Sequence, residues 1–384
     1  MKMLLLNANR VGIGTYHRAL NFGRELARRG HDVTLMTVSE TRRFRTCERQ
    51  DCERFRIVEC PNFLDELLPW HASGPLDIAL RIRELWRGNY DVVYAFEYQP
   101  NISIPVFATS RLRRYTLISD WCDWHAGASY HFGGHKWAHA IDRFFEELIR
   151  HHADHVTTIN TTLEQRARSI GIAAERVSIV GEGVDPTYIA PLERDAARSR
   201  LGLPARVPIV GTIRDSDRGA EILCEALAHS RHSELHLLAI GSSPERVVQI
   251  ARSHGVASRV VAAGRVSDRD LPHYLASADV LALPLEDNLV NRGRWPHKLG
   301  DMLAAGRPVI VSRGGEFPAF VEERGCGVIA GFDGRSFARA IDDVLAEPAR
   351  YAAIAARGRR LIEEELNWTV IGDRLEAVVR RAAA

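Results

Sequence analysis

Lysine is nearly absent from this chain. Among its 51 basic residues only Lys2, Lys136 and Lys298 are lysine, and arginine fills every other basic position. Long apolar runs are missing as well. No stretch approaches the ~20 residues a bilayer-crossing helix needs. Charge imbalance is small, with a net +2 over 384 residues, so the totals give no support for bulk nucleic-acid binding. Cysteine is sparse: the six fall at 47, 52, 60, 122, 224 and 326 without paired C-x-x-C spacing, which fits a reduced, cytoplasmic setting. Cys47, Cys52 and Cys60 with a histidine, or His131, His135 and His139 on one helix face, are the groupings that could hold zinc. The first lacks ligand spacing, and Gly133 and Gly134 interrupt the second, so no metal is expected. Low-complexity segments and short-period repeats are also missing. The opening M-K-M-L-L-L-N-A-N is short for a secretory leader and reads as a first buried strand.

What is present is organised around 292–311, R-G-R-W-P-H-K-L-G-D-M-L-A-A-G-R-P-V-I-V. Trp295 and Pro296 open a helix; proline suits a first helical position because its missing N–H has no partner there. Leu299, Met302 and Leu303 recur at helical spacing, Gly306 with Pro308 ends the helix, and 309–311 reads as a buried strand. A helix start carries free N–H groups and partial positive charge, a seat for phosphate. Lys298 stands in that first turn, where a cation is otherwise unfavourable. It is the only lysine in the second half of an arginine-rich chain. A compact ammonium there suits a phosphate as a point charge; a solvated surface lysine is the plainer alternative.

Taken in order, the chain alternates strands with helices, the sign of parallel βαβ units. Strands are expected at 4–7, 33–38, 55–58, 91–96, 116–120, 156–160 and 177–180. Helices are expected after the glycine turn Gly12-Ile13-Gly14 and at 76–86, 139–152 and 161–170. An arginine-rich connection runs from Arg42. The segment 188–206, with Pro191 and Pro204, reads as a linker. Strands then resume at 207–210, 235–240, 260–263, 280–283, 309–311 and 327–329, and the chain is helical from Arg335 onward. The predicted fold class is α/β, with two doubly wound Rossmann-like domains facing each other across a cleft.

The order of motifs resembles the retaining glycosyltransferases of the family-4 type, with GT-B architecture. G-I-G-T-Y-H-R-A-L-N-F-G-R-E-L-A-R-R-G-H-D-V-T at 12–34, A-D-H-V-T-T-I-N at 153–160 and V-G-E-G-V-D at 180–185 carry it through the first half. I-G-S-S-P-E-R at 240–246, A-A-G-R-V-S-D-R-D-L-P-H-Y-L-A-S-A-D-V at 262–280 and A-A-G-R-P-V-I at 304–310 carry it through the second. The resemblance implies an acceptor-side domain at 1–187, completed by a crossing helix at 367–384, and a donor-binding domain at 207–366. It implies a nucleotide-diphosphate sugar, of the UDP or GDP kind, as donor and a hydroxyl group as acceptor. Transfer would proceed with retention, with no cofactor and no obligatory metal.

Residue by residue, the resemblance assigns Arg218 to the usual lysine position of V-G-T-I-R-D-S-D-R-G at 210–219, with Gly211 and Arg214 in the same motif. Fixed cations stabilise the charge that grows on a leaving diphosphate. Lys298 serves the same group. Asp301 stands where the family has a glutamate for the ribose hydroxyls, one methylene short. Gly264, Arg265 and Val266 lie near the base, and Gly14 lets the backbone approach the diphosphate. A second family glutamate is replaced by Gly293, leaving Asn291, Arg292 and Arg294 nearest the donor sugar. After the strand at 116–120, Asp120 and Asp123, with His125 behind, are the candidates for orienting the acceptor; turn aspartates or ion pairs explain them equally well.

Asp215-Ser216-Asp217 and Asp268-Arg269-Asp270 both spell the metal-binding D-x-D, a pattern common by chance. A dinucleotide fingerprint fails because its third glycine would be His17. Gly293 supports a second reading, a protein of weakened activity that binds a sugar nucleotide without transferring it. The basic region 42–56 and the first helix suit peripheral contact with anionic lipid at the inner face of a membrane, or simply form a solvated basic face.

Overall fold

A computed structural model of the chain describes residues 1–64, 74–110, 115–125, 136–213 and 216–384. The chain divides into two compact units, one of residues 1–183, 293–295 and 368–384, the other of 184–292 and 296–367.

The first unit contains β1 (Lys2–Arg10), α1 (Tyr16–Arg28), β2 (Asp32–Val38), β3 (Cys47–Cys52), β4 (Phe55–Cys60), α2 (Pro75–Arg87), β5 (Val92–Phe96), α3 (Pro100–Thr109), β6 (Thr116–Trp121), α4 (Lys136–His152), β7 (His155–Thr158), α5 (Thr161–Ser169) and β8 (Val177–Ile179). Its eight-stranded sheet has the order β3-β4-β2-β1-β5-β6-β7-β8. The pairings are parallel, except that β3 lies antiparallel on β4 at one edge. Strands buried on both faces read as unbroken apolar runs, and Met3 to Leu6 and Val92 to Phe96 are wholly buried. α1 lies directly on the sheet because residue 23 is glycine: a Cβ there would stand 2.3 Å from Phe55 Cζ.

The second unit contains α6 (Arg194–Leu201), β9 (Ile209–Ile213), α7 (Asp217–His229), β10 (His236–Ile240), α8 (Pro244–Ser253), β11 (Val260–Gly264), α9 (Leu271–Ser277), β12 (Val280–Leu283), α10 (Leu289–Arg292), α11 (His297–Ala304), β13 (Val309–Ser312), α12 (Phe317–Arg324), β14 (Val328–Ala330), α13 (Gly334–Ala346) and α14 (Pro348–Glu364). Its six strands are parallel in the order β11-β10-β9-β12-β13-β14. Some of its helix starts carry polar caps: Ser216 Oγ accepts from the Gly219 N–H at 3.1 Å, and Asp333 Oδ1 from the Ser336 N–H at 2.8 Å. The last helix, α15 (Trp368–Ala383), belongs to the first unit. Its Ile371, Leu375 and Val379 are fully buried in the cluster that holds Phe22 and Leu26 of α1. Among the differences from the sequence reading, the segment after β5 contains α3. The arginine-rich connection contains β3, and the segment 188–206 contains α6.

Candidate functional site

Open parallel sheets collect ligands beyond the carboxyl ends of their strands. In the second unit, β9 leads through 214–215 into α7; Arg214 and Asp215 lie outside the described residues. Arg218, in the first turn of α7, donates through Nη1 to Glu221 at 3.0 Å and lies 3.5 Å from Glu225. Its side chain is 51% exposed. Pairs that exposed contribute only about 0–1 kcal/mol, so they hold the side chain weakly. β11 ends on Gly264, whose φ of +70° favours glycine and whose carbonyl accepts from the Gly241 N–H at 2.8 Å. Arg265 beyond it is exposed and Val266 half-buried.

After β12, Glu286 and Asp287 are exposed. Arg292 grips Asp287 with two bonds of 2.7 and 2.6 Å and holds its carboxyl below the usual range. Pro296 proves to be the N-cap of α11, one position before the helix, with His297 and Lys298 in the first turn and no acidic side chain there. Gly306, at φ +67°, follows the helix end. Asp301, on the same helix, is pushed up to about 6 by burial; His297 opposes the shift and Asp268 adds to it.

The sheet thus brings Arg218, Gly264 to Val266, Lys298 and Asp301 to one edge of the second unit. Three expected donor residues are placed otherwise. Gly211 lies inside β9, where a Cβ would stand 2.9 Å from Leu281 and 3.0 Å from Ala278, so packing is reason enough for the glycine. Arg292 is held by Asp287. Arg294 falls in the first unit, its carbonyl accepting from Asn160 Nδ2 at 3.4 Å. At the missing glutamate, Gly293 is buried. Beside it Asn291 Nδ2 donates to the Glu286 carbonyl at 2.7 Å, and its Oδ1 is buried with no partner among the described residues.

In the first unit, β1 runs into Gly12 (φ +79°) and Gly14 (φ +57°). A Cβ on Gly14 would stand 2.9 Å from Asn9 Nδ2, which donates to Thr15 Oγ1 at 2.7 Å. Any side chain at 14 would disturb that loop.

Asp120 corrects the sequence reading. Its carboxylate is fully buried. It accepts from Arg18 Nε at 2.8 Å, Arg18 Nη2 at 3.1 Å, Thr157 Oγ1 at 2.7 Å and Tyr94 OH at 3.4 Å. Arg18 also reaches Glu182 at 3.1 Å and the Gly181 carbonyl, with its guanidinium 4.3 Å from the Phe22 ring centre. Burial would lower the Arg18 pKa, but Asp120 and Glu182 outweigh it and hold it well above its ordinary value. Both oxygens of Asp120 are engaged by protein donors, three on Oδ1 and one on Oδ2, and the ion pair ties α1 to β6.

A second buried charged cluster at this edge surrounds Glu97, which the sequence reading did not single out. Glu97 follows β5 with φ +72°, unusual for a residue with a side chain, and is fully buried. The Cys122 thiol donates to its Oε1 at 2.8 Å, while His125 Nε2 and Arg150 Nη2 lie 3.4 and 3.5 Å from its Oε2. Burial would raise the Glu97 pKa, but His125 and Arg150 hold it below the usual range. His125 is driven the other way: burial lowers it, Glu97 overcomes this, and it rises to about 9. The imidazole is therefore cationic at neutral pH. Asp123 stands beside the pair, its carboxylate within 4.8 Å of the Glu97 and Cys122 ligand atoms. Among the described residues this is the one group close enough to share an ion. It does not suit one, because Arg150 brings positive charge and burial pushes the Cys122 thiol well above its ordinary value. Cys47 and Cys52 lie on β3 and Cys60 on β4 without gathering a histidine among the described residues, and His131 and His135 lie outside them. The only signal for Glu97 in the sequence was a charged residue directly after the apolar run V-V-Y-A-F.

His125 gives a pH prediction. A group raised above its unfolded value stabilises the fold below that value, about 6.5, and the gain is lost as pH rises through about 9. The stability difference between the wild type and His125→Gln should shrink between about pH 6 and pH 10 in denaturant titrations. A difference that stays constant or widens would contradict the ion pair.

Two α/β units built on parallel sheets are the architecture of GT-B proteins, and comparison with known proteins agrees. Residues 12–183 match the glycosyl transferase 4-like domain, and residues 204–347 match glycosyl transferases group 1. The chain belongs to the GT-B glycosyltransferases of the family-4 type. It is 29% identical over 243 residues to the D-inositol 3-phosphate glycosyltransferase of Rhodococcus opacus, a match covering 58% of this chain and 52% of that protein. It is 31% identical over 240 residues to the GDP-mannose-dependent alpha-(1-6)-phosphatidylinositol monomannoside mannosyltransferase of Mycolicibacterium smegmatis, covering 59% and 62%. The matches span about half the length of the first of these relatives and 62% of the second. The sucrose-phosphate synthase structure from Thermosynechococcus elongatus superposes with a TM-score of 0.81 at 19% identity, covering 99% of this chain and 98% of that one, a likeness of fold. Among the described residues no helix is long and apolar enough to cross a membrane.

Proposed function

We propose that the protein transfers a sugar from a nucleoside-diphosphate donor to a hydroxyl acceptor, with retention and without a metal. The observation that carries this is the cationic first turn of α11, with Lys298 and no acid, beyond β12 on the same sheet edge as Arg218 and Gly264. Lys298 and Arg218 hold the diphosphate, the backbone of Gly264 to Val266 meets the base, and Asp301 meets the ribose. The bond from the anomeric carbon to the phosphate oxygen breaks as the acceptor oxygen bonds to that carbon on the same face. The acceptor proton passes to the leaving phosphate, whose growing charge the two cations stabilise. In the first unit, acceptor contact falls to Asp123 and His125 rather than Asp120. The M. smegmatis relative's name supports GDP-mannose as the first donor to try and a lipid-linked acceptor.

A lipid-linked acceptor also supports peripheral membrane contact. Phe44 is 65% exposed and stacks on Phe63 at 4.8 Å, flanked by the exposed Arg42, Arg43 and Arg45. The test is a nucleotide-release assay over UDP- and GDP-sugars, with and without chelator and anionic vesicles. Slow release from one donor, unaffected by chelator and faster with vesicles, is expected. Loss of release in chelator would overturn metal independence, and indifference to vesicles would overturn membrane contact. Tight nucleotide binding with no turnover against any acceptor would favour the binding protein that Gly293 suggests.

A further inference from the structure

The second unit has a concavity with a basic rim and an apolar wall, at the opposite edge of its sheet from the proposed donor residues. It is a cavity of about 650 Å³ lined by Asp279 and Pro308, the residues just before β12 and β13. It therefore lies at the amino ends of strands whose carboxyl ends lead to Lys298 and Asp301. Its volume falls within the range of about 300–1,000 Å³ typical of small-molecule sites.

The lining is strongly basic. Arg194, Arg307, Arg359 and Arg360 contribute to it, with Asp279 the one carboxylate. That carboxylate is already neutralised: Arg194 Nη1 lies 2.6 Å from Oδ1, and Arg198 Nη2 and the Ile209 N–H each lie 2.7 Å from Oδ2. Arg359 is fixed by the carbonyls of Ile189, Ala304 and Pro186 at 2.6, 2.8 and 2.9 Å and by Glu363 at 2.7 Å.

Arg307 and Arg360 are different. Arg307 donates through Nη2 to the Leu192 carbonyl at 3.0 Å, but its Nε is buried with no acceptor among the described residues. A buried guanidinium N–H without an acceptor carries a desolvation cost that a bound oxyanion would remove. Burial lowers the Arg307 pKa; Asp279 and Glu193 oppose this while Arg194 and Arg198 add to it, and the net shift is downward. Arg360 is exposed on α14. The rest of the wall is apolar, formed by Pro191, Pro308, Leu345, Pro348 and Ala352.

We propose that this cavity binds an organic phosphate, its phosphoryl group against Arg307 and Arg360 and its carbon skeleton on the proline and leucine wall. Planar guanidinium forks match the oxygens of a phosphoryl dianion, and more than one uncompensated cation suits a dianion better than a monoanion. The apolar wall selects an ester over inorganic phosphate. Because the site sits at the amino edge, its occupant does not displace a nucleotide from the carboxyl edge.

The test is calorimetric titration of the full chain with phenyl phosphate, inorganic phosphate and phenol, and does not depend on transfer activity. Phenyl phosphate should bind about tenfold more tightly than inorganic phosphate, and phenol not measurably. Arg307→Ala and Arg360→Ala should each weaken phenyl phosphate by about tenfold. Arg360→Ala removes an exposed side chain and leaves folding untouched, so the result stays readable if Arg307→Ala misfolds. Absence of binding, or binding that Arg360→Ala leaves unchanged, would overturn the proposal. Binding that GDP displaces and Lys298→Ala abolishes would also overturn it, by moving the phosphate to the donor edge.

Discussion

Asp120→Ala is expected to destabilise the first unit by about 3–5 kcal/mol, the usual cost of removing one partner from a buried ion pair. The reason lies with the residue left behind. Arg18 is 1% exposed and would keep only Glu182 and the Gly181 carbonyl for a charge that cannot reach water. Thr157 and Tyr94 would lose an acceptor at the same time. Asp120→Asn, which keeps an acceptor oxygen and the volume, should cost less. Denaturant titrations of the three proteins decide the matter. A well-folded Asp120→Ala protein, within about 1 kcal/mol of wild type but inactive, would restore the acceptor role and refute the anchor.

Lys298→Ala is expected to do the reverse, leaving the fold intact while removing about 10²–10³-fold from kcat, the scale of losing one preorganised group that stabilises transition-state charge. The side chain sits in a helix first turn, where a cation opposes the macrodipole by about 0.3–1 kcal/mol. Its loss should therefore change stability little. Steady-state transfer and nucleotide titration with the active donor read both consequences: kcat falls and nucleoside diphosphate binds more weakly. A variant that transfers sugar within about threefold of wild type would detach Lys298 from the leaving group. Arg218→Ala should follow the same direction with a smaller drop, since Arg218 is shared with Glu221 and Glu225.

The alternation of apolar runs with amphipathic segments was enough to read both parallel sheets, because strands buried on two faces leave an unmistakable pattern. β3 escaped because C-E-R-Q-D-C has neither an apolar run nor alternation, and only its pairing with β4 makes it a strand. α6 escaped because its sequence, R-D-A-A-R-S-R-L, buries only Ala197 and Arg198, too little for a helical stripe. Local structure beyond the strands was legible where sequence grammar carries it: a helix opening at Pro296, a glycine closing a strand at 264. For Asp120 the ion pair stood as one of two readings and its partner could not be named, because Arg18 is 102 positions away and nothing in D-W-C-D-W-H announces a buried guanidinium. Glu97 was invisible for a related reason. Its significance comes from His125, Arg150 and Cys122, which only the sheet order brings to one place.

The outermost strand of the first sheet has a consequence for how the molecule behaves in crowded solution. An exposed strand edge offers a row of unpaired backbone groups to any neighbouring chain. Here that position is held by a reversed segment whose Glu48, Arg49 and Gln50 face water, with Arg49 reaching Glu59 and Arg56 reaching Glu48 across to β4. A second copy stacking on this border would have to strip those charges of solvent for little apolar contact in return. At the β3 border, therefore, the sheet is a poor template for self-association.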